Sequence, residues 1–446
     1  MTTDAQKTDL SKIAMQFMMN LSALRVFNDR IGAAAIEHDR LAFDTFIDKI
    51  KELFPREFPT DSVDSGQSAD EANNHDKEEV ISASQSEETQ SNQAEEIDPT
   101  RAMQLVRAAK LLAKAAPMQS TLLLESGLIS LMSSLEALVA DLIHAFYSQF
   151  PDALPADDRT LSLAELRVIG SIEEAEMFLR SKEVDSVLRE SLDSQLLYFG
   201  KRLKIDLVAL APNKPVLVEV AQRRNLLVHN RGVVNRTYLE RVDSTLIEEY
   251  AATKDKRLRV SSNYFVAAMN VVEMAGIVLL QQCWRKWRPD DRDSSEGFLV
   301  DFTFDALVEE RYDAVIEIAK YASAIPFENE SRKRRVCINH AIALRDSGRE
   351  SEVESLLSQY DWSGFQLLFR VALCAVRAQE EHFYQLLPRA IAAGEVTREN
   401  LEEWPLFRNF RETAKFTEML TILPSRLDEE AESELKDDDE SAEMVN

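Results

Sequence analysis

The chain is predicted to be all-α, on three observations. Glycine is sparse, 11 residues in 446. Apolar residues recur at three- and four-residue spacing over most of the length, the period of an amphipathic helix. The long alternating runs of half-buried strands are missing. With 45% hydrophobic and 29% charged residues, the composition is that of a globular protein carrying acidic polar segments, and the length allows two or three domains.

Residues 1–58 read as an N-terminal helical segment. Ile13, Phe17, Met18, Leu21 and Leu24, then Ile31, Ile36, Leu41, Phe43, Phe46, Ile50 and Leu53, form an apolar stripe that Pro55 and Pro59 stop. The methionines Met15, Met18 and Met19 suit a partner groove, but a core stripe is the simpler expectation. Residues 59–101 lack an apolar period and are rich in Ser, Asn, Gln, Asp and Glu; they read as a disordered acidic linker.

Residues 102–290 read as a helical bundle. An amphipathic helix is expected at 103–115. The run 121–150 is apolar on nearly every side and so belongs at the bundle's centre. Further helices follow at 161–168, 172–199 and 264–280. Asn270, Glu273, Gln281 and Gln282 interrupt the last, which argues against a membrane span. Glu125, Glu136 and Glu273 sit in apolar helices, and a buried carboxylate needs a partner; Arg224 is a candidate for one of them.

Residues 301–425 show weak internal repetition. The stretches 304–322, 337–359 and 365–392 each read as two short helices joined by a polar turn, at offsets near a solenoid period. Asn339, Ala341, Leu344, Gly348-Arg349, Val353 and Leu356-Leu357 resemble a tetratricopeptide repeat. Val353 stands where that pattern wants a small residue, and the third unit has no turn glycine. The resemblance implies a short α-solenoid, capped around Trp404-Pro405-Leu406-Phe407, of the kind that binds a protein partner; the alternative is that the three units only stabilise the neighbouring bundle. Residues 426–446 are an acidic, disordered tail.

The formal net charge of −26 is unevenly spread. Residues 60–100 carry −11 and residues 428–446 carry −9, whereas 201–260 hold 13 basic and 7 acidic residues. A local positive field attracts phosphates even on an acidic chain, so RNA is not excluded. Three scattered cysteines offer neither a disulfide framework nor a zinc site. Together with a polar start that lacks a secretory signal, they predict a cytoplasmic protein. No phosphate loop, His-Glu-x-x-His or Gly-x-Ser-x-Gly is present. His38, His75, His144, His340 and His382 have no ligand spacing, so neither metal nor cofactor is expected.

The positive segment contains Arg224-Asn225-Leu226-Leu227-Val228-His229. Val216, Leu217, Val220, Ala221, Leu227 and Val228 make one apolar stripe of a helix, with Arg224 near its middle and Asn225 and His229 together on its flank. A guanidinium there is either neutralised by an internal carboxylate or placed at an interface where an anion arrives. An Arg-Asn-x-x-x-His run closing a helix of an all-α domain resembles the signature of the HEPN family. The continuation Asn230-Arg231-Gly232-Val233-Val234-Asn235 and Tyr238-Leu239 is similar to one branch of it. The resemblance covers roughly residues 119–288.

That resemblance implies a metal-independent endoribonuclease, of the kind found among toxins and antiviral defence proteins. In such an enzyme a ribose 2′-hydroxyl attacks the adjacent phosphate and leaves a cyclic phosphate end. His229 would move the proton, Arg224 would hold the phosphate and stabilise the developing charge, and Asn225 would orient His229 or the phosphate. Arg223, Arg231 and Arg236 are expected to bind RNA. The family's composite clefts imply a homodimer. The alternative is a non-catalytic helical scaffold or binding regulator that keeps the motif for folding and dimerisation.

Overall fold

The computed structural model describes residues 9–53, 103, 118–154, 161–421 and 423. The linker at 59–101, the tail at 426–446 and all but Met103 of the helix expected at 103–115 lie outside them. The described residues form an all-α fold. They contain no β-sheet, and the only strand-like feature is an isolated antiparallel bridge between Val233 and Arg257. The chain divides into two compact units, residues 1–25 with 127–446, and residues 26–126.

In the smaller unit a π-turn at Asn28–Gly32 leads into α2 (Ala33–Leu53). Asp39 of α2 accepts hydrogen bonds from the backbone N–H of Gln119 (3.0 Å) and Ser120 (2.9 Å), satisfying the first turn of α3 (Gln119–Gln149). Ile36, Leu41 and Phe43 are exposed, so α2 does not bury the full stripe its sequence suggests.

In the larger unit α1 (Leu10–Phe27) buries Ile13, Ala14, Phe17 and Leu21 but leaves Met15 and Met19 exposed, against the expectation of a core stripe. The enclosed centre is α10 (Ser262–Trp287), where every residue from Val272 to Leu280 is buried. The position expected for α3 at the centre therefore falls to α10. α3 buries Leu128, Leu131, Leu135, Leu138 and Leu142 while Ser130, Ser133 and Ala137 face out. Gly276 of α10 has no Cβ to collide with the Phe17 ring, and this lets α1 approach. By length and composition α3 and α10 are both able to cross a membrane; in this structure 44% and 67% of their apolar windows are buried. The polar residues of α10 thus interrupt it less than the sequence suggests. Glu273 is held by Arg25 at 2.9 Å and Arg311 at 2.7 Å, two arginines far from it in sequence, so it is not the partner of Arg224.

Between α3 and α10 lie α4 (Leu163–Ile169), α5 (Ile172–Leu188), α6 (Leu192–Lys201), α7 (Lys214–Asn230), α8 (Arg236–Arg241) and α9 (Ser244–Glu249). All but α7 start at a side-chain cap. Ser162, Ser171, Ser191, Asn235 and Asp243 each accept a backbone N–H of the first turn.

Three helix hairpins follow: α11 (Arg292–Val308) with α12 (Tyr312–Ala324), α13 (Glu330–Asp346) with α14 (Glu350–Leu357), and α15 (Leu367–Val376) with α16 (Glu380–Ala392). The first begins earlier than the repeat pattern suggests, at Arg292. Each turn uses one left-handed residue: Glu310, Gly348 and Ala378, with φ of 58°, 77° and 53°. The next N–H closes back on the helix at 2.8 Å in all three, from Arg311 to Ala306, Arg349 to Leu344 and Gln379 to Cys374. The third unit therefore keeps the turn without its glycine. Ala378→Gly should remove the Cβ clash and raise stability by about 0.5–1 kcal/mol, measured by urea titration; a loss of stability would refute this account of the turn. Trp404 is buried and donates to Asn339 Oδ1 at 3.0 Å, and Asn339 donates in turn to Thr303 at 3.0 Å, which ties the segment after the hairpins to α11 and α13.

Candidate functional site

The motif closes α7. Pro215 sits in the helix's first turn, where its missing N–H costs nothing. At the other end Arg231 is left-handed (φ 55°) and Gly232 also has positive φ (76°). The Gly232 N–H bonds Leu226 O at 2.9 Å, and a Cβ there would stand 2.9 Å from Leu258 O, so only glycine fits. Beyond it Val234 and Leu258 pair with Lys256 and Gly232 through backbone bonds of 2.8 and 2.9 Å. Asn230 Nδ2 donates to Val233 O at 2.6 Å, and Asn235 caps α8 through the Tyr238 N–H at 2.9 Å. Each residue of the continuation quoted above thus has a local structural task.

Adjacent arginines on a helix point about 100° apart, and here they have opposite fates. Arg223 is a core residue. Its Nε donates to Glu219 at 2.7 Å and its Nη1 to Arg259 O at 3.1 Å, and its guanidinium lies over the rings of Tyr264 (4.0 Å) and Tyr250 (4.4 Å). Fully buried Glu219 also accepts from Tyr238 and Tyr264 hydroxyls, each at 2.6 Å. Burial first, then the Glu219 charge, pushes the Tyr264 phenol well above its usual range. The RNA contact expected of Arg223 is therefore corrected: buried and committed to Glu219, it faces the protein interior.

Arg224 turns instead into a cleft of about 540 Å³, and Asn225 and His229 line the same cleft. Arg224 Nη2 lies 2.8 Å from both carboxylate oxygens of Glu136, and Nη1 donates to Asn225 Oδ1 at 3.1 Å. The pair is partly open, 21% exposed at the arginine and 31% at the glutamate. Of the three carboxylates proposed for Arg224, Glu136 is the one it meets. The single apolar stripe is also revised: Leu217, Val218, Val220, Ala221 and Leu226 are buried, whereas Val228 is 47% exposed. His229 is exposed, and its imidazole is hydrogen-bonded to no described residue.

Other walls of the cleft supply residues that the motif does not announce. Arg189 and Ser191 come from the α5–α6 corner, Thr237 and Arg241 from α8, and Gln222 from α7 itself. Arg189 and Arg241 are exposed and form no ion pair with a described residue. Arg231 and Arg236 are exposed but do not line the cleft, and Arg236 is engaged with Glu240 at 2.6 Å. One sequence signal pointed to Gln222, its place three residues before Asn225 on the same helix face; Arg189 and Arg241 could be found only from the fold. Among the described residues no three His, Cys, Asp or Glu side chains gather where a metal could bind. No protein-family model, curated protein or solved structure matches this chain.

Proposed function

We propose that this protein is a metal-independent endoribonuclease of the HEPN type, working as a homodimer whose second copy completes the cleft. The observation that carries the reading is the convergence of Arg224, Asn225 and His229 on one open cleft with Arg189 and Arg241 at its walls. In the reaction a ribose 2′-oxygen bonds to the neighbouring phosphorus as the P–O5′ bond breaks. The 2′-hydroxyl proton leaves to a base and the 5′-oxygen gains one, and His229 supplies one of these transfers. The phosphate displaces Glu136 from Arg224, whose guanidinium then faces the equatorial oxygens. The second copy's His229 fits the other transfer. The hairpins at 292–392 serve, on this reading, as a tetratricopeptide-like surface for a protein partner.

A second reading is favoured by one specific contact. Within one chain the Arg224–Glu136 pair already neutralises the motif's cation, as a structural role would require, and the protein is then a dimeric scaffold or binding regulator. Cleavage of total cellular RNA in EDTA separates the two, with wild type beside Arg224→Ala and His229→Ala. The enzyme reading expects cyclic phosphate ends from wild type and a loss of at least about 100-fold in each variant, with folding and dimerisation unchanged. Equal cleavage by wild type and both variants, or variants that lose the dimer, would remove it.

A further inference from the structure

Gln222 is the polar residue of the cleft that this chemistry leaves unused. It is only 6% exposed, it lines the cleft, and its carboxamide forms no hydrogen bond with any described residue. Its amide N and O, not sealed in the interior, are open to the cleft, and a donor beside an acceptor on a recessed wall, with no partner among the described residues, is placed to meet a ligand. Gln222 precedes Asn225 by three residues and His229 by seven, on one face of α7, which places it about 10 Å along the axis from His229. Arg189 and Arg241, both without ion pairs, line the same space.

We infer, building on the ribonuclease reading of this cleft, that Gln222 reads the base beside the scissile phosphate while Arg241 and Arg189 hold a neighbouring phosphate, which makes the substrate unpaired RNA with adenine at that position. A carboxamide offers one acceptor next to one donor. On the edge that Gln222 reads in this proposal, adenine answers both at once through its N6 amino group and N7, guanine shows two acceptors, and cytosine and uracil each offer a single group. A base stacked in a duplex cannot reach a side chain so recessed in the cleft, 6% exposed as a residue, but a base splayed from a single strand can. The two arginines supply attraction without sequence preference, and Gln222 supplies the choice.

Binding tests this apart from cleavage. The full-length protein would be titrated into fluorescent hexamers of 2′-O-methyl A, C or U, which lack the attacking hydroxyl, and anisotropy recorded for wild type, Gln222→Leu, Gln222→Met and Arg241→Gln. Wild type should bind the A hexamer on the order of tenfold or more tighter than the other two. Either Gln222 variant, whichever melts like wild type, should bring the A hexamer down to the affinity of the others. Arg241→Gln should weaken all three alike and flatten the salt dependence. Equal affinities in wild type, no binding at low salt, or an adenine preference that survives in a folded Gln222 variant would overturn the inference. Adenine preference without cleavage of unmodified RNA would keep Gln222 as the base reader and remove the ribonuclease reading. Cleavage without preference would do the opposite.

Discussion

Glu219→Ala should destabilise the protein by about 3–5 kcal/mol, the usual cost of breaking a buried ion pair by removing one partner. Glu219 is fully buried and receives Arg223, Tyr238 and Tyr264. Its loss leaves one guanidinium and two phenols without their acceptor inside the protein, and each unmet group carries its own desolvation penalty. The aromatic faces of Tyr250 and Tyr264 would still hold the Arg223 cation, but they replace only a small part of the carboxylate's contribution. Replacing both charges, as in Glu219→Leu with Arg223→Met, should recover the part of the loss owed to the orphaned charge, while the Tyr238 and Tyr264 phenols still lack their acceptor. By contrast Glu136→Ala should cost no more than about 1 kcal/mol, since that pair is partly solvated. Urea unfolding of the four proteins reads all of this directly. If Glu219→Ala and Glu136→Ala had equal effects, the division of α7 into a structural and a functional arginine would fail.

That division shows what a sequence can reveal of such a site. Helices were readable from period and caps, and the Arg224-Asn225-His229 spacing placed three side chains on one side of a helix end, where the structure has them lining one cleft. The identity of the inward arginine was not readable. Arg223 and Arg224 are chemically alike and one residue apart, and their fates are set by Glu219, Tyr238 and Tyr264 on one side and Glu136 on the other. Three of these four partners come from other helices. The partners of Glu273 were hidden for the same reason, because Arg25 and Arg311 reach it only after α1 and α12's leading turn have packed on α10. Periodicity also overstated the burial of α3, since an apolar helix reads alike whether all its faces are covered or only one. The third hairpin turn was obscured by Ala378, which adopts a conformation that sequence patterns reserve for glycine.

Acid should weaken this fold before its carboxylates titrate, and His340 is the reason. It lies on α13, 7% exposed. Burial first, then the cations Lys320 and Arg349, push its imidazole down to about 4, against the opposing pull of Glu352 and Glu317. In the unfolded chain a histidine titrates near 6.5. Between these values the unfolded state binds a proton that the folded state refuses, so stability falls as pH drops from about 6.5 towards 4 and is fully present above that window. The ceiling is about 3 kcal/mol, the shift converted at about 1.4 kcal/mol per pH unit. The nearby exposed Glu352 is held below its usual value by Arg349, and its contribution is lost only at lower pH, as the solution passes below the carboxylate range. The two effects therefore occupy different windows. Urea unfolding at pH 7.0, 5.5 and 4.5 (settings of about one pH unit across the window) should show wild type losing stability and His340→Gln losing distinctly less. Parallel decline in the two proteins would mean that other groups carry the acid sensitivity and that α13 tolerates a charged imidazole.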